Sequence, residues 1–413
     1  MVRALLHKVE KYVKTDIRYL VKGGSLMVTG QIAVSAIALC TSIAFANLLS
    51  KEAYGTYQYI LTTVEFLLSF SLIGLGRSVV TSVSRGHEGA LDHGFRAGLI
   101  WGTGALILGV CVGGYYLYKE DILFGVGIIF GTFATLLITT FKIYIPFLNG
   151  KKLFGLTSSF TVFGILIPGI AVIVTLFQTT HLLTILIVFF ISSTLTNLIL
   201  FVLSRRYATN SLEDPKMIRQ AFHLSLDSLI GRVAALVDRI LLFHFAGPAI
   251  LAEFWIAQNI ERQFSHLFKS ANSVALPKLS VRSYEELRQS MPRKVLLLYI
   301  LIIPFTVGYI LITPFIFQLA FPQYLSAVLY AQVLGLLLLF SPIKALLDVF
   351  IGHSMHTILY KINTGSALAQ LVTTCSLVPF FGIWGVIASI FMNQIAYAAG
   401  TLWYFLRKDS GSM

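Results

Sequence analysis

KKLFGLTSSFTVFGILIPGIAVIVTLFQTTHLLTILIVFFISSTLTNLILFVLSRR, residues 151–206, decides the fold class of this chain. Two apolar runs, 153–178 and 180–203, are each longer than the roughly 20 residues that cross a hydrocarbon core of about 30 Å. They are joined by the near-bare turn Gln178–His181, with Lys151-Lys152 on one side of the pair and Arg205-Arg206 on the other. The pair therefore reads as a membrane hairpin whose two ends face the same, positively charged side.

The same grammar extends in both directions. Further spans are expected near 25–48, 54–83, 95–118, 121–148, 218–246, 249–277, 294–318, 324–350, 357–379 and 382–406, making twelve. Loops that follow even-numbered spans, together with both tails, hold 22 Lys and Arg, whereas the opposite loops hold only Lys51 and Lys119. The positive-inside rule then places a multi-pass protein in the cytoplasmic (inner) membrane with both termini in the cytoplasm. Composition agrees, with 56% hydrophobic and 12% charged residues and a mean hydropathy of +0.81. The net charge of +13 is explained by this loop asymmetry, so it does not point to a nucleic acid.

Several function classes fall away. The opposite loops, such as Gly247–Ala249 and Phe380–Phe381, leave no room for an extracytoplasmic domain of the kind a membrane glycosyltransferase or polymerase needs, so an enzyme is not expected. No GxxxxGK[ST] phosphate cradle occurs, which argues against an ATP-driven pump and against a nucleotide cofactor. Gly125, Gly127 and Gly131 lie inside the fourth span; with Gly98 and Gly102, and Gly109 and Gly113, they have the spacing of close helix packing. Cys40, Cys111 and Cys375 sit in apolar spans as small hydrophobes. His353 and His356 lack accompanying Cys or carboxylates and read as a solvated loop, so no metal site is expected. Residues 1–22 alternate Leu6, Val9, Val13 and Ile17 with Lys8, Lys11, Lys14 and Arg18 as an amphipathic helix lying on an anionic leaflet.

The polar groups at membrane depth carry the functional reading. Span seven holds Asp227, Arg232, Asp238 and Arg239, and span eight holds Glu253, Glu261, Arg262, His266 and Lys269. At 100° per residue, Arg232, Arg239, Asp227, Asp238, Ser225, Ser228 and Gly231 fall in one half of the seventh helix, as Gln258, Asn259, Glu261, Arg262 and Ser265 do in the eighth. Such halves are expected to line a cavity; the alternative, an amphipathic cytosolic hairpin, would leave ten spans. Arg77, Lys142, Lys344 and Asp348 add further charge, and Glu65 and Glu253 are set aside as lying outward. Seven basic groups then face four acidic ones, a surplus that suggests an anionic ligand.

The chain also divides in two. Ser204–Lys216 is a polar break, giving an amphipathic segment 1–22, a six-helix lobe 23–204, a cytoplasmic linker 205–217 and a second six-helix lobe 218–413. A faint repeat relates Tyr57 to Trp255 and Ser84 to Ser280, at offsets of 198 and 196 residues. Six spans per half keep the same orientation, so the halves are expected to be parallel repeats with the ligand cavity between them.

Ala46-Asn-Leu-Leu-Ser-Lys-Glu-Ala-Tyr-Gly-Thr-Tyr57 and Ile73-Gly-Leu-Gly-Arg77 resemble the opening of the polysaccharide-transport (Wzx-type) flippases of the multidrug/oligosaccharidyl-lipid/polysaccharide exporter superfamily. Val237-Asp-Arg-Ile-Leu-Leu242 and Pro277-Lys-Leu-Ser280 resemble the start of their second half, with one departure, Glu253 where the family tends to have glycine. The resemblance implies an all-α, twelve-helix, V-shaped, two-lobed fold resembling that of the multidrug exporters. It also implies translocation of undecaprenyl-pyrophosphate-linked oligosaccharide by alternating access, for cell-surface polysaccharide biosynthesis. Expected partners are that lipid, membrane lipids, and a polysaccharide polymerase and glycosyltransferases of the same pathway. Arg offers a bidentate fork for phosphate oxygens. Arg77, Arg232 and Arg262, with Lys142 and Arg239, are the expected substrate contacts, and Asp238, Glu261, Asp227 and Glu65 the candidates for a coupling ion. A drug or cation exporter of the same fold, and a non-transporting scaffold of an assembly complex, are the competing readings.

Overall fold

The protein was analysed as a computed structural model, which describes residues 17–279, 284–352 and 355–407. Most of the segment 1–22, together with His353, falls outside them, as do the side chains of His266, Lys269, Lys278, Arg282, Arg288, Asp348, His356 and Lys408.

Every element among the described residues is helical. In chain order they are α1 (Ile17–Leu48), α2 (Lys51–Leu68), α3 (Leu75–Ser84), α4 (Ala90–Tyr118), α5 (Ile122–Phe141), α6 (Tyr144–Gly150), α7 (Phe154–Gln178) and α8 (Leu182–Arg205). There follow α9 (Met217–Ala246), α10 (Pro248–Leu279), α11 (Tyr284–Ala320), α12 (Val328–Gly335), α13 (Ser341–Gly352), α14 (His356–Phe381) and α15 (Ile383–Leu406), with 3₁₀ turns at Pro322–Ala327 and Leu336–Phe340. Among the described residues nine stretches are long and apolar enough to cross a membrane, from Val28–Leu48 to Ile383–Leu406. The expected spans near 54–83, 218–246 and 249–277 are helical but are not among the nine, because each carries several charges or polar groups. Large apolar side chains such as Ile100, Ile107, Leu297, Ile300, Phe315 and Leu319 point outward, the inverse of a water-soluble surface and the arrangement that a lipid solvent rewards. Cys40, Cys111 and Cys375 are free and exposed on such surfaces.

Three expected spans are broken. The second divides at Ser69–Gly74, where the Ser71 hydroxyl donates to the Leu68 carbonyl at 2.7 Å and the Gly74 N–H leaves the helix ladder to donate to Ser225 Oγ at 2.9 Å. Only glycine fits at 74, since a Cβ there would lie 2.6 Å from the Ala221 carbonyl oxygen. The fourth bends at Lys142-Ile143, between α5 and α6, and the tenth is interrupted by both 3₁₀ turns. Short 3₁₀ pieces within a span mark strain or a hinge.

The chain forms two compact units. The first is Met1–Ala44 with Leu67–Ser228, and the second is Phe45–Phe66 with Leu229–Met413. Residues 45–66 thus group with the C-terminal half of the sequence, and 217–228 with the N-terminal half. In the first unit, α4 and α5 meet along the glycine stripe that the sequence suggested: a Cβ on Gly102 would lie 2.0 Å from Leu136, on Gly109 2.7 Å from Thr132, and on Gly113 2.8 Å from the Gly125 carbonyl. Its core gathers Val79, Tyr144, Phe147, Leu148, Met217 and Ala221. The buried Tyr144 hydroxyl donates to Asn197 Oδ1 at 3.2 Å.

The linker is held firmly against this unit. Glu88 takes Lys151 Nζ at 2.7 Å and the Thr209 N–H at 2.6 Å, the Gly89 N–H donates to the Leu212 carbonyl at 2.9 Å, and Asp214 accepts from Ser82 Oγ at 2.9 Å. For Glu88, burial opposes ionisation, but the Lys151 and Thr209 hydrogen bonds and the Lys151 charge outweigh it and hold the carboxyl below its usual range. Asp214 is also held low, first by the Lys216 N–H, against some burial, then by Ser82 and the nearby His87 and Arg85. In the second unit, Leu287, Met291, Val349, Phe350 and Phe405 form a core. There the Tyr309 hydroxyl caps the broken tenth span by donating to the Ala331 carbonyl at 3.1 Å.

Candidate functional site

Within the second unit, α2, α9 and α10 bring six of the nine expected site residues into one ionic cluster: Glu65, Arg232, Asp238, Arg239, Glu261 and Arg262. Arg232 reaches Glu65 at 3.9 Å, and both side chains are 49% exposed. Glu65, set aside from the charge count as outward-lying, is thus in contact with one of the counted cations. Its helix runs with the second unit, and its carboxylate sits against α9. With Glu65 counted, the surplus among the groups at membrane depth falls from three to two.

The half of α9 expected to face a cavity splits in two. Arg232, Gly231 and Ala235 are exposed, whereas Asp238 and Arg239 are 2% and 4% exposed. Arg239 is enclosed by α10: its guanidinium lies 4.5 Å over the Trp255 ring and donates to Gln258 Oε1 at 2.9 Å, a desolvated cation–π contact with a charge-assisted hydrogen bond. Its Nε has no hydrogen-bond partner. Asp238 accepts the Arg239 backbone N–H at 2.7 Å and lies within the electrostatic reach of Arg239 and Arg262. On α10, Gln258 and Glu261 are buried and Arg262 is exposed. The Glu261 carboxylate accepts a short hydrogen bond from Ser265 Oγ. Ile256 and Ile260 are buried in the unit, and Phe264 meets the Tyr309 ring edge-on at 5.0 Å.

The other three expected residues belong to the first unit. Arg77 is exposed on α3, with no ion pair among the described residues; Lys142 is half-buried at the α5–α6 bend; Asp227 is half-buried near the end of the unit's share of α9.

Sequence reasoning did not give the roles of four residues here. Trp255 and Gln258 on α10 enclose Arg239; Trp255 had been noted only as a repeat partner of Tyr57. Tyr59 of α2 stacks on Phe243 at 3.9 Å and its hydroxyl meets His244 Nε2 at 3.0 Å. Glu253, set aside as lying outward, is buried and bound to Lys51 at 2.7 Å. A buried carboxylate near the end of a span was the available signal, since such a group requires a cation.

Within the second unit the arrangement thus offers two kinds of cation: Arg239, enclosed by Trp255 and Gln258, and Arg232 and Arg262, which keep exposed surface. Exposed guanidinium groups on helices of a membrane fold suit recognition of phosphate or carboxylate oxygens. Among the described residues no group of three or more His, Cys, Asp or Glu is placed to hold a metal ion.

Comparison with known proteins bears on the same helices. The chain superimposes on a multidrug resistance transporter of the MATE family in the MOP superfamily, in its outward-facing conformation, with a TM-score of 0.64, 15% identity, and coverage of 93% of this chain and 94% of that one. The lipid II flippase MurJ in an inward closed conformation gives 0.71 at 13% identity, over 92% and 87%. A MOP superfamily transporter from Pyrococcus furiosus, described by a binding pocket of reversed polarity that suggests a different function, gives 0.62 at 14% identity, over 93% and 94%. At these identities the likeness shows the fold, which is that of the MATE and MurJ transporters. No curated protein matches the sequence significantly. Residues 20–283, more than half of the chain, match the profile of the polysaccharide biosynthesis protein family; the chain is a multi-pass membrane protein of that family.

Proposed function

We propose that the protein is a flippase that moves an undecaprenyl-pyrophosphate-linked oligosaccharide across the cytoplasmic membrane by alternating access, with both termini in the cytoplasm. The observation that supports this reading is that, within the second unit, Arg232 and Arg262 stay exposed on helices of a membrane fold while Arg239, seven residues from Arg232, is fully enclosed. Enclosure by Trp255 and Gln258 gives Arg239 a structural purpose. Arg232 and Arg262 keep exposed surface beyond their contacts with the cluster, and a pyrophosphate would use it. Membership of the polysaccharide biosynthesis family supports the substrate class. Asp238 and Glu261 are the proposed sites for a coupling cation, with Asp227 and Glu65 as alternates.

The test is reconstitution. In proteoliposomes the protein should translocate a polyprenyl-pyrophosphate-linked oligosaccharide and leave ethidium-like cations unmoved. Arg232→Gln and Arg262→Gln should abolish that transport with protein abundance unchanged, and Arg→Lys should recover part of it, since charge remains but the bidentate fork is lost. Efflux of a cationic dye without movement of lipid-linked sugar would replace this reading with drug export. Movement of neither would leave a scaffold.

A further inference from the structure

α2 is fastened along its length to residues 232–253 of the second unit, at four levels. Lys51 Nζ meets Glu253 Oε1 at 2.7 Å. At Gly55 the two backbones touch, since a Cβ there would lie 1.8 Å from the Pro248 carbonyl oxygen. Tyr59 stacks on Phe243 and bonds His244. Glu65 then faces Arg232 at 3.9 Å.

The first level is tight and the last is loose. Glu253 is 8% exposed and also accepts from Ser326 Oγ at 2.5 Å, while Lys51 bonds the same hydroxyl at 3.3 Å and lies 5.3 Å over the Tyr324 ring. Glu65 and Arg232, by contrast, are both half exposed, and their contact is at the outer limit of an ion pair. A helix is stiff and rises about 1.5 Å per residue, so Lys51 and Glu65 are about 21 Å apart on one rod. A shift of one residue at the Lys51 end turns the Glu65 end by about 100°. The loose contact therefore takes its register from the tight one. Lys51 is one of two cations in its set of loops, and Glu253 is a buried carboxylate that requires a cation. Each unusual residue is explained by the other.

We infer that Lys51 and Glu253 are a positioning pair, which sets the register of α2 so that the Glu65 carboxylate is presented to Arg232. This rests on the flippase reading in one respect: the contact then decides how much of the Arg232 guanidinium is open to a phosphate. Neither residue touches the substrate. Their effect passes through α2.

The register is measured without transport. In a full-length chain lacking Cys40, Cys111 and Cys375, the substitutions Glu65→Cys and Arg232→Cys allow a short bifunctional thiol reagent to join α2 to α9. Adding Lys51→Met or Glu253→Gln should slow cross-linking about tenfold or more, a change of about 1.4 kcal/mol in the population with correct register. The exchange Lys51→Glu with Glu253→Lys should restore the rate, and Lys51→Arg should retain it. Monodispersity on size-exclusion chromatography identifies variants that have merely unfolded, and Lys51→Arg with the exchanged pair then carries the comparison. In the chain with Glu65 and Arg232 intact, the single variants should lose flipping and the exchanged pair regain it. Unchanged cross-linking in folded single variants, or an exchanged pair that fails to restore it, overturns the inference. If cross-linking follows the pattern while the native chain moves no lipid-linked oligosaccharide, the positioning role stands and the flippase reading fails.

Discussion

Arg239→Leu should destabilise the protein far more than Arg232→Gln, although the two arginines are seven residues apart on one stripe of α9. Arg239 is 4% exposed, lies 4.5 Å over Trp255 and donates to Gln258 at 2.9 Å, beside Asp238 at 2% exposure. Removing its guanidinium leaves Asp238 as a buried carboxylate with only Arg262 in electrostatic reach. Losing the charge-assisted hydrogen bond to Gln258 costs about 1.5–3 kcal/mol, and losing the desolvated cation–π contact about 2 kcal/mol more. The Arg232 pair is long, at 3.9 Å, and half exposed on both sides, so its loss costs about 0.2–1 kcal/mol. A difference of at least about 2 kcal/mol corresponds to roughly a thirtyfold change in the folded-to-unfolded ratio. Unfolding in detergent, followed by intrinsic fluorescence and size exclusion, resolves that gap. Adding Asp238→Asn to Arg239→Leu should recover part of the loss, since it removes the buried carboxylate that has lost the nearby Arg239 charge. Equal stability of Arg239→Leu and Arg232→Gln, or no recovery in the double variant, would refute the division into enclosed and ligand-facing cations.

Three further outcomes follow from the same geometry. Glu88 and Asp214 have depressed values in the folded state, so the stability they confer is complete above the ordinary carboxylate range and is lost as pH falls below about 4; thermal unfolding from pH 7 to pH 3 should show a smaller acid loss in Glu88→Gln and Asp214→Asn, from a lower starting point. Gly55→Ala, whose Cβ meets the Pro248 carbonyl at 1.8 Å, should lower the melting temperature sharply, whereas Gly104→Ala, with nothing within 4 Å, should leave it unchanged or raised. In the cell, reporters fused at Asn210 and Tyr284 should report cytoplasm, fusions at Lys119 and Gln178 the opposite side, and a cysteine near Pro248 should react with an impermeant reagent applied outside; labelling only after permeabilisation would mean that α9 and α10 do not cross.

Much of the fold is legible in the sequence, because lipid imposes one rule on every residue of a span. Long apolar runs such as 154–178 and 182–205 appear as helices where the hydropathy places them, and the glycine stripe between α4 and α5 packs as its spacing suggests. The breaks were not legible. Whether Ser69–Gly74 continues a helix depends on a hydroxyl, Ser225 Oγ, 151 residues away, and no local propensity carries that information. The grouping of 45–66 with the C-terminal half has the same origin, for Lys51 finds Glu253 across 202 residues.

The site was legible in its residue types and illegible in their roles. Periodicity places Arg232 and Arg239 on one face, since seven residues bring an α-helix back to within about 20° of its starting direction. No helical projection can therefore separate them. What separates them is the neighbour at each height. Along α2 and α10, Arg239 meets Trp255 and Gln258, which exclude solvent, and Arg232 meets the half-exposed Glu65. An intramembrane charge is costly wherever it stands, so its presence alone signals purpose without saying which. Enclosure by an aromatic face and an amide assigns Arg239 to the architecture. Arg232, which sequence reasoning had placed in the same class, keeps an exposed guanidinium that is open to the proposed anionic ligand.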